Sequence, residues 1–139
     1  MKFMVMVKAN KDSEAGVMPS ETELSDMMKY NEELSKAGVL LDLAGLQSSS
    51  KGARVRFNGK ERRVIDGPHT EAKELVAGYW ILQCKSLAEC IEWVKRAPCP
   101  SPSGESEIEI RPYFELEDFP QANAETRERA TRIEQQLKS

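Results

Sequence analysis

The segment Lys2 to Lys8, KFMVMVK, is apolar at every interior position instead of at every second one. Side chains alternate between the two faces of a strand, so a strand of this kind has to be covered on both sides. Two further runs share the property: Val39 to Leu46, VLLDLAGL, broken only by Asp42, and Leu75 to Cys84, LVAGYWILQC. A chain with three such strands cannot form a sheet with one face in water. The Val39 to Leu46 run reads as a central strand, with Gly45 as a bulge or a point of close approach.

Helix signals lie between these runs. Ser20-Glu21-Thr22-Glu23 fits a capping box, in which the Ser20 hydroxyl meets the Glu23 amide and Glu23 reaches back. The helix that follows carries an apolar stripe of Leu24, Met27, Met28, Leu34 and Ala37, with Asn31 in its middle, and Gly38 can stop it in a left-handed conformation. Ser86 caps a second helix whose stripe is Leu87, Cys90, Ile91 and Val94, and Pro98 ends it. A Pro/Ser loop, CPSPSGES from Cys99 to Ser106, leads into a strand from Ser106 to Phe114. There Ile108 and Ile110 share one face and Glu107, Glu109 and Arg111 the other. Between the second and third long strands, ARVRFNGKERRVID is a hairpin. An Asn58-Gly59 type I′ turn would set Phe57 opposite Lys60, Arg56 opposite Glu61 and Arg54 opposite Arg63. Asp66-Gly67-Pro68 then forces a turn.

Without the hairpin, the order is strand, helix, strand, strand, helix, strand, the split βαβ pattern of an α+β, ferredoxin-like fold. Its two helices cover one face of the sheet only, and the other face is apolar as well. The simplest cover is a second copy packed sheet to sheet, which predicts a homodimeric α/β barrel with an interior into which Glu109, Arg111 and Tyr113 would point. Residues 1–115 form this domain. Residues 116–139 are Glu/Gln/Arg-rich with a thin Ile133/Leu137 stripe, and read as a charged helical tail.

Composition removes several function classes. Twenty Lys and Arg against 23 Asp and Glu leave a net charge of −3, so there is no bulk basic surface for nucleic acid or anionic lipid. No run approaches the ~20 apolar residues of a membrane span, and the N-terminus lacks a signal-peptide cleavage pattern, which predicts a cytoplasmic protein. Cys84, Cys90 and Cys99 match neither a CxxC redox pair nor a zinc pattern and read as reduced core thiols. His69 is the only histidine, so any nucleophile-histidine site has to use it and no multi-histidine metal site can form within one subunit. Neither metal nor cofactor is expected.

Five ionisable groups, Asp66, His69, Glu71, Lys73 and Glu74, fall within nine residues at the Gly-Pro turn. As chemistry, Asp66 can orient His69 for acid–base work, with Glu71, Lys73, Arg111 and Asn31 as contacts for a polar ligand. As structure, Asp66 caps its own turn, Glu71, Lys73 and Glu74 are solvated, His69 is an exposed turn residue and Asn31 a satisfied amide on a helix face. Both readings stay open. Arg54 and Arg63, expected to face each other, could attract a carboxylate or phosphate or simply keep an edge ribbon solvated.

Over VIDGPHTEAKELVAGYW, from Val64 to Trp80, the chain resembles the DGPF-motif branch of the YCII-related family. The residues that carry the likeness are Asp66-Gly67-Pro68, Glu71, Lys73-Glu74 and Gly78. The opening strand, Ala44-Gly45-Leu46-Gln47 and Glu109-Ile110-Arg111-Pro112 extend it over roughly residues 1–115. The resemblance implies a dimeric ferredoxin-like barrel and little about reaction. The fourth motif residue, usually Phe, is His69 here. The His-Asp pair proposed as catalytic in the smaller YCII branch has no counterpart: the first helix offers no His, and Ala97-Pro98-Cys99 stands where the Asp is sought. The expected function is a homodimer that binds a small polar molecule between its sheets near the Asp66-Gly67-Pro68 turn. The alternatives are a small acid–base enzyme using Asp66 and His69, or an accessory or regulatory protein acting through protein contacts.

Overall fold

The computed structural model describes residues 1–101 and 104–139. Along the chain these form β1 (Lys2–Lys8), a single-turn α1 (Lys11–Glu14), α2 (Glu21–Lys36), β2 (Leu40–Gly45), β3 (Ala53–Asn58) and β4 (Glu61–Asp66). There follow β5 (Val76–Gln83), α3 (Leu87–Lys95), β6 (Ile108–Pro112) and α4 (Ala124–Lys138). Four strands make an antiparallel sheet in the order β2-β5-β1-β6, consistent with a ferredoxin-like arrangement, and β3 and β4 form a separate two-stranded ribbon. The two central strands, β1 and β5, are the ones with apolar side chains on both faces over most of their length. β2 lies at the edge of the sheet instead of its centre, with Leu41 and Leu43 exposed, and its irregularity falls at Leu41 and not at Gly45. The close approach here is at its partner Gly78, where a side-chain carbon would meet the Ala44 carbonyl oxygen at 3.0 Å; one at Gly45 would meet nothing within 4 Å.

Register determines which residues share a face. Val5 pairs with Trp80 and Ile110, and Phe3 with Leu82 and Pro112. This face packs against Tyr30 and Leu34 of α2 and Cys90 of α3, with Phe3, Val5, Leu34, Leu82 and Cys90 fully buried. Each of the larger of these side chains contributes ~1.5–3 kcal/mol by leaving water. Both helices begin as their caps dictate: the Ser20 hydroxyl accepts from the Glu23 amide at 3.1 Å and Ser86 from the Glu89 amide at 3.1 Å. Gly38 ends α2 at φ +76°.

The buried face of α2 differs from the aliphatic stripe expected for it. Leu24 is 42% and Met28 58% exposed, whereas Met27, Tyr30, Asn31 and Leu34 turn toward the sheet. The reason is polar. Trp80 carries an indole N–H into the core, and a buried donor needs an acceptor. Asn31 Oδ1 accepts it at 2.8 Å, while the Tyr30 ring meets Trp80 edge to face at 5.7 Å. The Tyr30 hydroxyl donates to the Trp93 carbonyl at 2.7 Å, and burial pushes its pKa up to about 12. On α3, Cys90 is buried while Leu87 stays exposed. Cys84 and Cys90 are buried thiols as expected; Cys99 is exposed and is not part of the core.

The opposite face of the sheet carries Met4 and Met6 from β1, Tyr79 and Ile81 from β5, Ala44 from β2 and Glu109 and Arg111 from β6. Glu109 lies 4.0 Å from Lys8. Neither α2 nor α3 packs on this side.

The hairpin turns one residue later than Asn58-Gly59. Asn58 pairs with Glu61, so the loop is Gly59-Lys60, and Arg56 faces Arg63 while Arg54 faces Ile65. A type I′ turn needs positive φ at both loop residues, but Gly59, at φ +59°, is the one residue of the turn with positive φ. Glycine in the first loop position is the type II′ arrangement, and it moves the register by one. The tail forms α4, whose Ile133 and Leu137 are exposed. The Pro/Ser loop read across Cys99 to Ser106 includes Pro102 and Ser103, which lie outside the described residues.

Candidate functional site

Where β1 ends, the Ala9 amide donates to the Leu75 carbonyl at 2.9 Å. Where β2 ends, the Leu46 amide donates to Ala77 at 2.8 Å. The chain then leaves the sheet at both points, and the space between the departing loops is a cleft of about 560 Å³. Three segments converge on it.

The first is α1. Asn10 and Ser13 cap each other, with Asn10 Oδ1 accepting from the Ser13 amide at 2.8 Å and Ser13 Oγ from the Asn10 amide at 2.9 Å. This single turn directs Glu14 at Ser49, in the second segment. Glu14 Oε2 accepts from the Ser49 amide at 2.7 Å, and Oε1 from the Ser49 hydroxyl. The third segment is the turn after β4, where Ser49 Oγ accepts from the His69 amide at 2.9 Å and the Gly67 amide donates to the Gly52 carbonyl at 3.3 Å. Ser49 therefore couples a carboxylate on one side to the His69 backbone on the other.

Glu14 is held below the usual carboxylate range. The Ser49 hydroxyl and amide are the main cause, since hydrogen bonds to the charged form favour it, and the nearby His69 acts in the same direction, against a partial desolvation. Ala9, Leu46, Leu75, Val76 and Ala77 give the cleft an apolar wall. Gln47, Ser48, Lys51, Arg54, Glu14 and His69 give it polar ones. Such a space can hold a small molecule with both characters, and it places an imidazole and an ionised carboxylate in one cavity.

Of the residues singled out in the sequence, His69 of the Gly-Pro turn and Arg54 of the hairpin line this cleft. Asp66 is exposed at the end of β4 opposite Ala53, and the Asx-type bond expected of it is not formed: Ser49 holds the His69 amide instead. Glu71, Lys73 and Glu74 are exposed in and beside a short 3₁₀ turn. Arg111 stands on the outer strand β6 opposite Met4, and Asn31 is spent on Trp80 in the helix-covered core. Glu14, Ser49 and Lys51 escaped the sequence reading. The N-x-x-S spacing of Asn10 and Ser13 was a signal for α1; nothing local marked Ser49. Among the described residues, no group of three His, Cys, Asp or Glu side chains is placed to hold a metal ion, and no helix is long and apolar enough to cross a membrane.

Comparison with known proteins places this arrangement in context. An uncharacterised protein of Rhizobium meliloti (strain 1021) is 30% identical over 92 residues, 66% of this chain and 73% of that protein. Among solved structures, a 5-chloro-2-hydroxyhydroquinone dehydrochlorinase from Burkholderia phenoliruptrix AC1100, in complex with 2,5-dihydroxybenzoquinone, aligns with a TM-score of 0.47 at 12% identity. That alignment covers 85% of this chain and 98% of the other. The model of the YCII-related domain matches residues 1–117, a span that includes the whole sheet, α2, α3 and all three segments of the cleft, and the chain belongs to the YCII-related family.

Proposed function

We propose that this chain belongs to the DGPF-motif branch of its family and acts as a homodimer that binds a small polar molecule in the cleft beside the Asp66-Gly67-Pro68 turn. The single observation behind this is the cleft, about 560 Å³ with an apolar wall and convergent polar groups, which is the usual make-up of a small-molecule site. Pairing with a second copy is supported by the second face of the sheet, where Met4, Met6, Tyr79 and Ile81 lie on the side away from α2 and α3. Cys84 and Cys90, buried neighbours without a bridge, suit a reducing, cytoplasmic setting. Thermal shift against a broad library of small metabolites tests the binding. A ligand at 100 times its Kd should add ~2.7 kcal/mol, and Ala53→Trp, which fills the cleft from the exposed ribbon, should abolish the effect. A library without a single stabilising member would exclude ligand binding and favour a role through protein contacts.

An acid–base enzyme is favoured by a different observation: Glu14 and His69 line the same cleft, and His69 helps keep Glu14 ionised. The carboxylate beside the imidazole would then be Glu14, with Asp66 outside. Turnover lost in His69→Phe while binding persists supports the enzyme; equal turnover in that variant excludes it.

A further inference from the structure

The cleft is electrically one-sided. Lys51, Arg54 and His69 line it, and Glu14 is the one carboxylate among its lining residues. Both Glu14 oxygens are engaged by Ser49. Among the described residues, neither Lys51 nor Arg54 lies within ion-pair distance of any acid.

The charge increases beyond Arg54. Antiparallel register puts Arg54, Arg56 and Arg63 on one face of the ribbon, with Arg56 directly opposite Arg63. Like charges in that position destabilise a strand pair, so the arrangement costs stability unless something negative comes near. Glu61 shares the face at its turn end and forms no ion pair with these arginines, and Asp66 projects from the other face with Ala53. The chain as a whole carries −3, so the cleft mouth reverses the sign of the molecule. A concave site lined by one sign of charge concentrates ligands of the other.

Resting on the small-molecule reading of the cleft, we infer that its ligand is a small organic anion, with an apolar body against Leu46, Leu75 and Val76 and a carboxylate or phosphate head held by Arg54 and Lys51. A guanidinium presents paired donors to either head group, and the ammonium adds a point charge.

Ligand-observed NMR on the full chain, with probes that share one ring, tests this. Benzoate and phenyl phosphate are the anions, benzamide and benzyl alcohol the neutral analogues, and benzylamine the cation. The anions should bind roughly tenfold or more tightly than the neutral probes, and Arg54→Gln with Lys51→Gln should remove that preference, bringing anion affinity down to that of the neutral probes. The ratio of benzoate to phenyl phosphate affinity then identifies the head group. Neutral or cationic probes binding as tightly as the anions would overturn the anion assignment and leave the cleft as a binding site. Anion binding that both substitutions leave untouched would place it elsewhere and also overturn the assignment. If no probe of any charge bound, the cleft as a ligand site would fall together with the inference.

Discussion

Gly67 packs against the Ser49 carbonyl so closely that a side-chain carbon at position 67 would lie 1.8 Å from that oxygen. The two loops that form one side of the cleft are thus in backbone contact, and the residue that permits it belongs to the Asp66-Gly67-Pro68 turn. Ser49 also holds Glu14 and the His69 amide, so the position of all three depends on this contact.

Gly67→Ala should therefore be destabilising by ~2 kcal/mol or more, since the obstacle is backbone and cannot rotate away. Denaturant melts would measure the loss. Amide spectra should show shifts at Ser49, Gly52 and His69 beyond those at distant residues. Stability within error of the parent would mean that the loops do not touch.

Ser49→Ala removes the hydroxyl that donates to Glu14 and accepts from His69, and should lower the midpoint of denaturant melts. It also changes the acid response. A carboxylate with a depressed pKa in the folded state adds stability at pH above the ordinary carboxylate range, and that stability is lost as pH falls through the folded-state value. Part of the acid destabilisation of the parent protein should come from Glu14 in this way, and the Ser49 variant should show less of it. Carbon-detected titration of the Glu14 carboxyl checks the direction: its midpoint rises toward the usual range in the variant.

Asp66→Ala should leave the unfolding free energy within ~0.5 kcal/mol, because its carboxylate has no hydrogen-bond partner among the described residues and is exposed. A loss of ~1 kcal/mol, typical of a removed cap, would show that the Asx turn forms after all.

Asn31→Ala should cost ~1–3 kcal/mol by stranding the Trp80 indole N–H in the core. Trp80→Phe strands the amide in turn, so the double substitution should cost less than the two single changes added together. Ligand affinity should not change in Asn31→Ala, since Asn31 lies on the helix-covered side of the sheet and does not line the cleft.

Light scattering should return twice the 15.7 kDa chain mass. Met6→Glu, placed on the face away from α2 and α3, should lower it to the monomer value without loss of far-UV circular dichroism, because a buried unpaired charge in a sheet-to-sheet interface is costly. A parent protein of 15.7 kDa at micromolar concentration would rule out the dimer.

Much of the architecture can be read from short windows of the chain. Ser20 with Glu23 and Ser86 with Glu89 announce their helices because a cap is a bond between residues three apart, complete within the sequence itself. KFMVMVK and LVAGYWILQC announce strands covered on both faces because such burial demands apolar residues at both parities, although VLLDLAGL, with the same pattern and read as central, lies at the sheet edge. The hairpin was visible as well, but not its register, since Asn58-Gly59 and Gly59-Lys60 are both acceptable two-residue turns and it is the absence of a positive φ at Asn58 that selects the second.

The sequence by itself thus determined the elements other than α1 and their order, which follow from interactions between near neighbours or from periodic burial, but not the place of β2 at the edge of the sheet. Tertiary structure alone decided which face of α2 is inside, because the acceptor needed by Trp80 is 49 residues away at Asn31. It alone decided the site, where Glu14 meets Ser49 across 35 residues and Ser49 meets His69 across 20. Loops have no hydrophobic period to read, and where two of them touch is settled by the strand ends that launch them and by a glycine that lets their backbones come close.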